Sequence, residues 1–474
     1  MQQLSGQDAM FLHMESKGFP MHIGGVSIYD QSTAPHGTVR FKDILNTFAS
    51  RLDRSPIFRR RLQRVPMGLD QPYWVDDENF DLEFHVRHIA LPKPGDWRQL
   101  CIQVARLHAR PLDLSRPLWE AYVIEGLDNV EGVPAGSFAL YLKVHHCAMD
   151  GASGTQFFAS FNDLTADAKN PSDIADWQPK KRPSGRELLA KTYRNSLNKP
   201  AQYLKLAKEI IPAYKRIQEG NKEDRFETIE EKASTRFNGK LSPHRVVDAV
   251  SFDFEEIRNI KNAVEGATIN DTVLTIISGA MHSYLESKGE TPEVDLVAAC
   301  PIDVRDDTEQ DAGGNMISLM NVNLCSTTTN PKQRLANVHE SAVKSKAYAE
   351  ALGHRIGLDV TDTLGSYLQS GLMQLVNKSG LAETNVMQNT VVTNVPGAPC
   401  QLYLAGAQVI DSFGIGPIAP GMGIFHTVTS AVMGKKGKII IAFTACRDAV
   451  PDPDHYADCI RQSFTSLKSS CKSK

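Results

Sequence analysis

Two adjacent histidines, His145 and His146, close an apolar run, and Asp150-Gly151 follows them three residues later. An imidazole is about half deprotonated near neutral pH, so a rigidly held histidine can take a proton from a hydroxyl and return it later in the same cycle. The preceding residues, 137–144, are aliphatic, aromatic and β-branched, follow Pro134 and Gly136, and read as a buried strand. Residues 152–164 place Phe157, Phe158 and Phe161 at helical spacing, which makes Asp150-Gly151 the turn into a helix. A strand end followed by a tight turn holds a general base in place. Side chains alternate on a strand, so His145 and His146 part company: His146 is the candidate base and His145 a structural residue. The same alternation turns Cys147 away from the base, against a covalent thiol mechanism. Neighbouring strand histidines do not chelate one metal, and HExxH, GxSxG and paired Cys/His sets are missing, so neither a metal nor a serine nucleophile is expected.

Around this motif the chain alternates strand and helix patterns, as an α/β protein does. Residues 4–19 are helical and 26–29 strand-like; Phe41, Ile44, Leu45, Phe48 and Leu52 repeat at helical spacing. A helix over 97–108 precedes a strand over 117–124, which should lie beside the histidine strand. A second set begins near Val246, with a helix over 255–264. Thr268-Ile269-Asn270-Asp271 has the form of a capping box and opens an apolar helix through Tyr284. Strands are expected at 295–300, 321–325, 390–394, 407–411, 425–433 and 438–444, and helices at 331–351, 361–376 and 454–467.

A chain of 474 residues exceeds one ordinary domain. A net charge of −3 argues against a nucleic-acid partner. The eight cysteines are scattered, without CxxC spacing or an N-terminal secretion signal, and read as free thiols in a reducing cytoplasm. No run of about eighteen apolar residues offers a membrane span. Residues 180–218 carry eleven Lys/Arg against two acids and residues 219–231 six acids against two bases, a swing that marks a connecting segment. The expected division is therefore 1–180, a basic helical linker over 181–240, and 241–474.

The His145-His146-x-x-x-Asp150-Gly151 pattern resembles the signature of the CoA-dependent acyltransferase superfamily, to which chloramphenicol acetyltransferase and peptide-synthetase condensation domains belong. Leu4-Ser5-Gly6-Gln7-Asp8-Ala9-Met10-Phe11-Leu12, Met21-His22-Ile23-Gly24, Pro117-Leu118-Trp119-Glu120, Asn270-Asp271 and Thr393-Asn394-Val395-Pro396-Gly397 narrow it. In this order and spacing, from about residue 4 to about 465, they resemble the bacterial wax ester synthase/acyl-CoA:diacylglycerol acyltransferase family. The resemblance implies two chloramphenicol-acetyltransferase-like α/β domains, each a mixed sheet with helices, and an active site in a tunnel between them. It implies transfer of a fatty acyl group from acyl-CoA, a substrate and not a cofactor, to a long-chain alcohol or diacylglycerol. His146 would act as base in a direct attack without an acyl-enzyme, and Asp150 would orient the site through an ion pair, with Arg305 the candidate partner. Two alternatives share the fold: an acyltransferase or condensation-like enzyme with a polar acceptor, and a catalytically silent lipid-binding homologue.

Other residues carry two readings. Asn270 either orients His146 or stabilises an oxyanion, or it is ordinary helix-start chemistry. Trp119 packs in a core or touches substrate. Arg59, Arg60, Arg61 and Arg64 are a solvated helix end or a contact for CoA phosphates. Gly357, between Gly353 and Thr363, forms an inter-helix turn or leaves room for an alkyl chain in the alcohol pocket. The glycines from Gly414 to Gly423 lack a dinucleotide fingerprint and suit a loop at the cleft mouth. Tyr203, Ala207, Ile210, Tyr214 and Ile217 recur at helical spacing within the basic segment, interrupted by Pro200 and Pro212. That stripe either docks a cytoplasmic enzyme peripherally on the inner membrane or lipid inclusions, or packs on the body.

Overall fold

In a computed structural model, which describes residues 1–149, 160–168, 177–227, 229–303, 317–353, 356–433 and 436–472, fifteen strands among the described residues form three sheets. The smallest is β1 (Gln2–Gln3) with β3 (Arg60–Gln63) and β4 (Tyr73–Asp76). The strands of the first large sheet are β2 (His22–Asp30), β5 (Val86–Ala90), β6 (Trp119–Glu125), β7 (Phe138–His145), β12 (Tyr403–Leu404) and β13 (Ala407–Ile415). Their order is β12-β13-β2-β7-β6-β5, antiparallel except for the parallel pair β5–β6. The second contains β8 (Arg245–Asp253), β9 (Val297–Asp303), β10 (Ile317–Asn323), β11 (Thr390–Pro396), β14 (Ile424–Met433) and β15 (Lys436–Cys446), in the order β10-β9-β11-β14-β15-β8. There β11 runs parallel to both its neighbours, so both sheets are mixed, as expected.

The first sheet is completed from the far half of the chain. β13 pairs with β2 through Gly24↔Ile415 and Tyr29↔Val409, so residues expected in the 241–474 unit close the edge beside the histidine-bearing layer. The large sheets meet across a shared core in which Val26, Ile28 and Tyr141 pack with Phe413, Ile440 and Ala442. The Trp97–His108 helix seals this core, and Trp97 Nε1 donates to Asp248 Oδ1 at 2.8 Å across the two sheets.

Local chemistry accounts for several elements. Thr268 caps the Ile269–Ser287 helix by the expected reciprocal box with Asp271. Gly279 lets that helix touch the Pro453–Cys471 helix, where a Cβ would stand 2.3 Å from Ser463 Oγ. The expected 361–376 helix is split at Gly365, whose extended backbone separates Ile356–Thr363 from Ser366–Ser379. Gly185–Lys222 is a continuous 38-residue helix through Pro200 and Pro212. Both prolines lie on its exposed side, where water replaces the lost intrahelical bonds. No described helix is long and apolar enough to cross a membrane.

His426 and His108 are among the histidines buried as neutral groups. Burial holds His426 down at about 3. Burial, reinforced by the Lys143 and Arg245 charges, does the same for His108, also at about 3. A folded pKa below the unfolded value of about 6.5 means full stability above that pH and a loss as pH falls toward the folded value. At pH 5 the deficit is about 1.5 units, or about 2 kcal/mol per histidine. Urea unfolding midpoints at pH 7 and pH 5 check this; equal midpoints would contradict it, and His426→Gln should remove its share of the difference.

Candidate active site

The turn that carries the histidine pair begins where β7 ends. His145 is the last strand residue and His146 opens a single 3-10 turn to Ala148, so the two side chains diverge at a strand-to-turn junction. Backbone bonds hold both sides of the junction: His145 N–H donates to Leu118 O at 2.9 Å and His146 N–H to Met21 O at 2.8 Å. His145 is fully buried. Its Nδ1 accepts from the Cys147 N–H at 3.1 Å, which leaves the proton on Nε2 to donate to Glu15 Oε2 at 3.1 Å. Burial pushes the Glu15 carboxyl up, but the bond from His145, the Met21 N–H and Arg64 outweigh it and hold it below its ordinary value. His145 is thus placed as a structural residue. Cys147 is buried beside Leu4, Ala9 and Leu118, and burial, with Asp8 and Glu15, holds its thiol well above the usual range. It does not line the cavity described below.

His146 is half-buried, and its ring stacks on Phe11 with centroids 3.8 Å apart and planes 6° from parallel. Phe11 lies on the Gly6–Met14 helix, which docks so closely on the Ile356–Thr363 helix that a Cβ at Gly6 would meet Thr361 O at 2.2 Å. The imidazole faces a cavity of about 620 Å³ between the two large sheets. Residues of four strands form its walls, for example Ile23 on β2 and Ile415 on β13, with alternate residues from Val391 on β11 and from Phe425 on β14. Glycines bring these strands together: a Cβ at Gly414 would lie 2.4 Å from Thr427 Cγ2, and one at Gly416 2.2 Å from Phe425. Gly414 is therefore a strand residue at the sheet interface, not part of a loop as expected. The described lining residues include no Asp, Glu, Lys or Arg, and Cys400 aside, His146 is the one ionisable side chain among them.

The other expected site residues are distributed differently. Trp119 is fully buried away from the cavity lining, stacks on His85 and donates to Phe58 O at 3.0 Å. Its substrate-binding reading gives way to core packing, because alternation along β6 sends it toward the Phe41–Ala49 helix. Asn270 is not among the described cavity-lining residues; its Oδ1 accepts from Asn394 Nδ2. On β11, Thr393 and Val395 line the cavity while Asn394 between them points away, so the contact ties a helix start to the strand. Gly357 does line the cavity, from the first turn of a helix instead of an inter-helix turn, with open space where a Cβ would stand. Arg59, Arg60 and Arg61 pair with Asp53, Asp76 and Asp77, the last two at 3.6 and 3.4 Å. Those carboxylates occupy the guanidinium groups and brace the small sheet, which removes the phosphate-contact reading for the three. Asp150, Gly151 and Arg305 lie outside the described residues. Phe11 and Glu15 were not singled out in the sequence: one lies in a recognisable motif without an assigned role, and the other is a lone acid whose partner is 130 residues away.

The profile of the wax ester synthase/diacylglycerol acyltransferase catalytic domain matches residues 4–273, and that of the family's C-terminal domain residues 313–468. A putative diacylglycerol O-acyltransferase of Mycobacterium tuberculosis is 30% identical over 481 residues, covering 98% of this chain and 90% of the relative. A second from that organism is 32% identical over 435 residues, covering 91% and 90%. The structure is similar to the wax ester synthase/diacylglycerol acyltransferase of Marinobacter aquaeolei VT8, with a TM-score of 0.70, 25% identity, and 99% and 100% of the two chains covered. The starter condensation domain of rhizomide synthetase shares the fold at a TM-score of 0.54 and 13% identity, covering 99% of this chain and 94% of that one. With both family profiles spanning the motif and the two sheets, the chain belongs to the wax ester synthase/diacylglycerol acyltransferase family and is an acyl-CoA-dependent O-acyltransferase.

Proposed function

We propose that the enzyme esterifies a long-chain alcohol with the fatty acyl group of acyl-CoA, and accepts diacylglycerol as a second acceptor. The observation that carries this reading is a single imidazole among the described residues of a cavity whose described lining is otherwise uncharged and largely apolar. Along β13 the walls run from Ile415 near the histidine to Val409, six residues at about 3.3 Å each, or about 20 Å. At roughly 1.25 Å of advance per carbon–carbon bond in an extended zigzag, a chain of about sixteen carbons fills that length. A polar acceptor finds few partners there, which disfavours the condensation-like alternative.

In this reading His146 removes the acceptor's hydroxyl proton as the oxygen attacks the thioester carbonyl. The C–O bond forms, the tetrahedral oxyanion collapses with cleavage of the C–S bond, and the CoA thiolate takes the proton from the imidazolium. No cofactor enters these steps; acyl-CoA is consumed as substrate. Phe11 holds the ring plane, and the Glu15–His145–Cys147 chain fixes the turn behind it. The test is thiol release from palmitoyl-CoA with hexadecanol, with dioleoylglycerol, with a polar amine, and with no acceptor. Release dependent on hexadecanol supports the reading; release only with the amine, or with no acceptor at all, overturns it. Gly357→Ile should shift preference toward shorter alcohols, because its side chain would enter the open space at the cavity wall. An unchanged chain-length profile would remove Gly357 from the acceptor pocket.

A further inference from the structure

The turn that carries His146 leans on a short loop from far upstream. Residues 15–21 join the Gly6–Met14 helix to β2 and close on themselves: Phe19 N–H donates to Ser16 O at 2.9 Å, and Ser16 N–H returns a bond to Phe19 O at 3.3 Å. Both ends of this loop touch the histidine pair. On the helix side, Phe11 stacks on the His146 ring, and Glu15 accepts from His145 and from the Met21 N–H, each at 3.1 Å. On the strand side, Met21 O accepts the His146 N–H at 2.8 Å. His146 therefore moves with the loop.

The loop's outer support comes from the second sheet. Arg245, the first residue of β8, is buried, and its planar fork spans two segments 227 residues apart. Nη2 donates to Gly18 O at 2.7 Å and Nη1 to Ser242 O at 2.8 Å, while the Phe19 ring lies 5.0 Å from Arg245 Cζ. None of these partners is a carboxylate. Burial pulls the Arg245 pKa down to about 10, which leaves it charged at neutral pH. A buried charge without a countercharge is a poorer source of stability than an apolar side chain of its size, so stability does not account for it. Pro243 braces the same loop. Gly18 has a φ of +87°, and a Cβ there would stand 2.9 Å from Pro243 Cβ.

We infer that Arg245 is a positioning residue for acyl transfer: through Gly18 and Met21 it sets the His146 ring, carried by the first sheet, against the cavity wall supplied by the second. The effect on rate rests on His146 acting as the base; the placement of its ring does not.

Two variants disturb the contact from opposite sides. Arg245→Met removes the donor, and Gly18→Ala presses a methyl group on Pro243 with Arg245 intact; if Arg245→Met fails to fold, Gly18→Ala carries the same test. NMR of the full chain with ¹³C-labelled histidine reads the ring directly, because the phenyl ring stacked on it shifts its signal, which is assigned by its loss in His146→Ala. His426→Gln, buried in the second sheet and off the cavity lining, controls for general loosening. Arg245→Met and Gly18→Ala should each move the His146 signal and lower kcat for palmitoyl-CoA with hexadecanol by about 10- to 100-fold, the cost of a small misplacement, with KM for palmitoyl-CoA unchanged. His426→Gln should leave the signal in place. An unmoved His146 signal in the folded variants overturns the inference whatever the rate, and so does an equal shift in His426→Gln. A shifted signal at full rate overturns it too when His146→Ala is inactive. If His146→Ala is itself active, the base assignment falls, and the shifted signal still supports the placement.

Discussion

His146→Ala is expected to lower acyl transfer by about 10²–10⁴-fold, the usual cost of losing a general base. Stability should change much less. His146 is half-buried, and the stacking it gives up against Phe11 is worth about 0.5–1.5 kcal/mol. His145→Ala should show the opposite balance. That ring is fully buried, satisfies the Cys147 N–H and holds the Glu15 carboxylate; its removal strands both, at about 1–3 kcal/mol for each buried group. Steady-state rates and urea unfolding on the two variants make the comparison. A His146→Ala enzyme retaining more than about a tenth of the wild-type rate would end its assignment as base, since no properly placed base contributes so little.

Glu120→Ala is expected to destabilise the fold by roughly 3–5 kcal/mol, the cost of leaving a buried charge without its partner. The charge is Lys143, fully buried on β7 two residues before His145 and directly across from Glu120 on β6. Its Nζ lies 3.1 Å from Glu120 Oε2 and donates to the Leu107 and Arg110 carbonyls at 3.2 and 2.9 Å. Burial pulls the Lys143 pKa down, Glu120 pushes it back up, and Arg87 and Arg110 oppose Glu120. Tyr122 also donates to Glu120 at 2.7 Å, so the carboxylate gathers several groups behind the histidine-bearing strand. Replacing both charges, Glu120→Leu with Lys143→Met, should recover most of the loss, because apolar residues of similar volume replace a buried pair at little cost. Urea unfolding of the two single variants and the double variant gives the coupling directly. A single-variant cost below about 1 kcal/mol would show that water reaches Lys143 and that the pair does not brace the strand.

What the sequence determined by itself is local. The strand into His145, the capping box at Thr268, the helices over 97–108 and 331–351, and the divergence of the two histidines all follow from chemistry within a few residues, and the structure has them, the second helix one residue longer. The histidine motif also named its chemistry, because two imidazoles and a turn are close in sequence and their roles depend on backbone direction alone. Periodicity says which face of an element is apolar, but not what covers it. Trp119, Asn270 and Gly357 looked alike as candidates, and only the packing of β6 against one helix, of Asn394 against another and of the Gly6–Met14 helix against Thr361 separated them. β3, β4 and β5 are only four, four and five residues long, too short for a periodic pattern, and pairing stabilises them. β13 had to cross to β2 before the cavity existed, and Gly414 and Gly416 are meaningful only against Thr427 and Phe425. The site's walls come from segments hundreds of residues apart, so their meeting is decided by the free energy of burying two sheets on each other, a quantity no single stretch of chain contains.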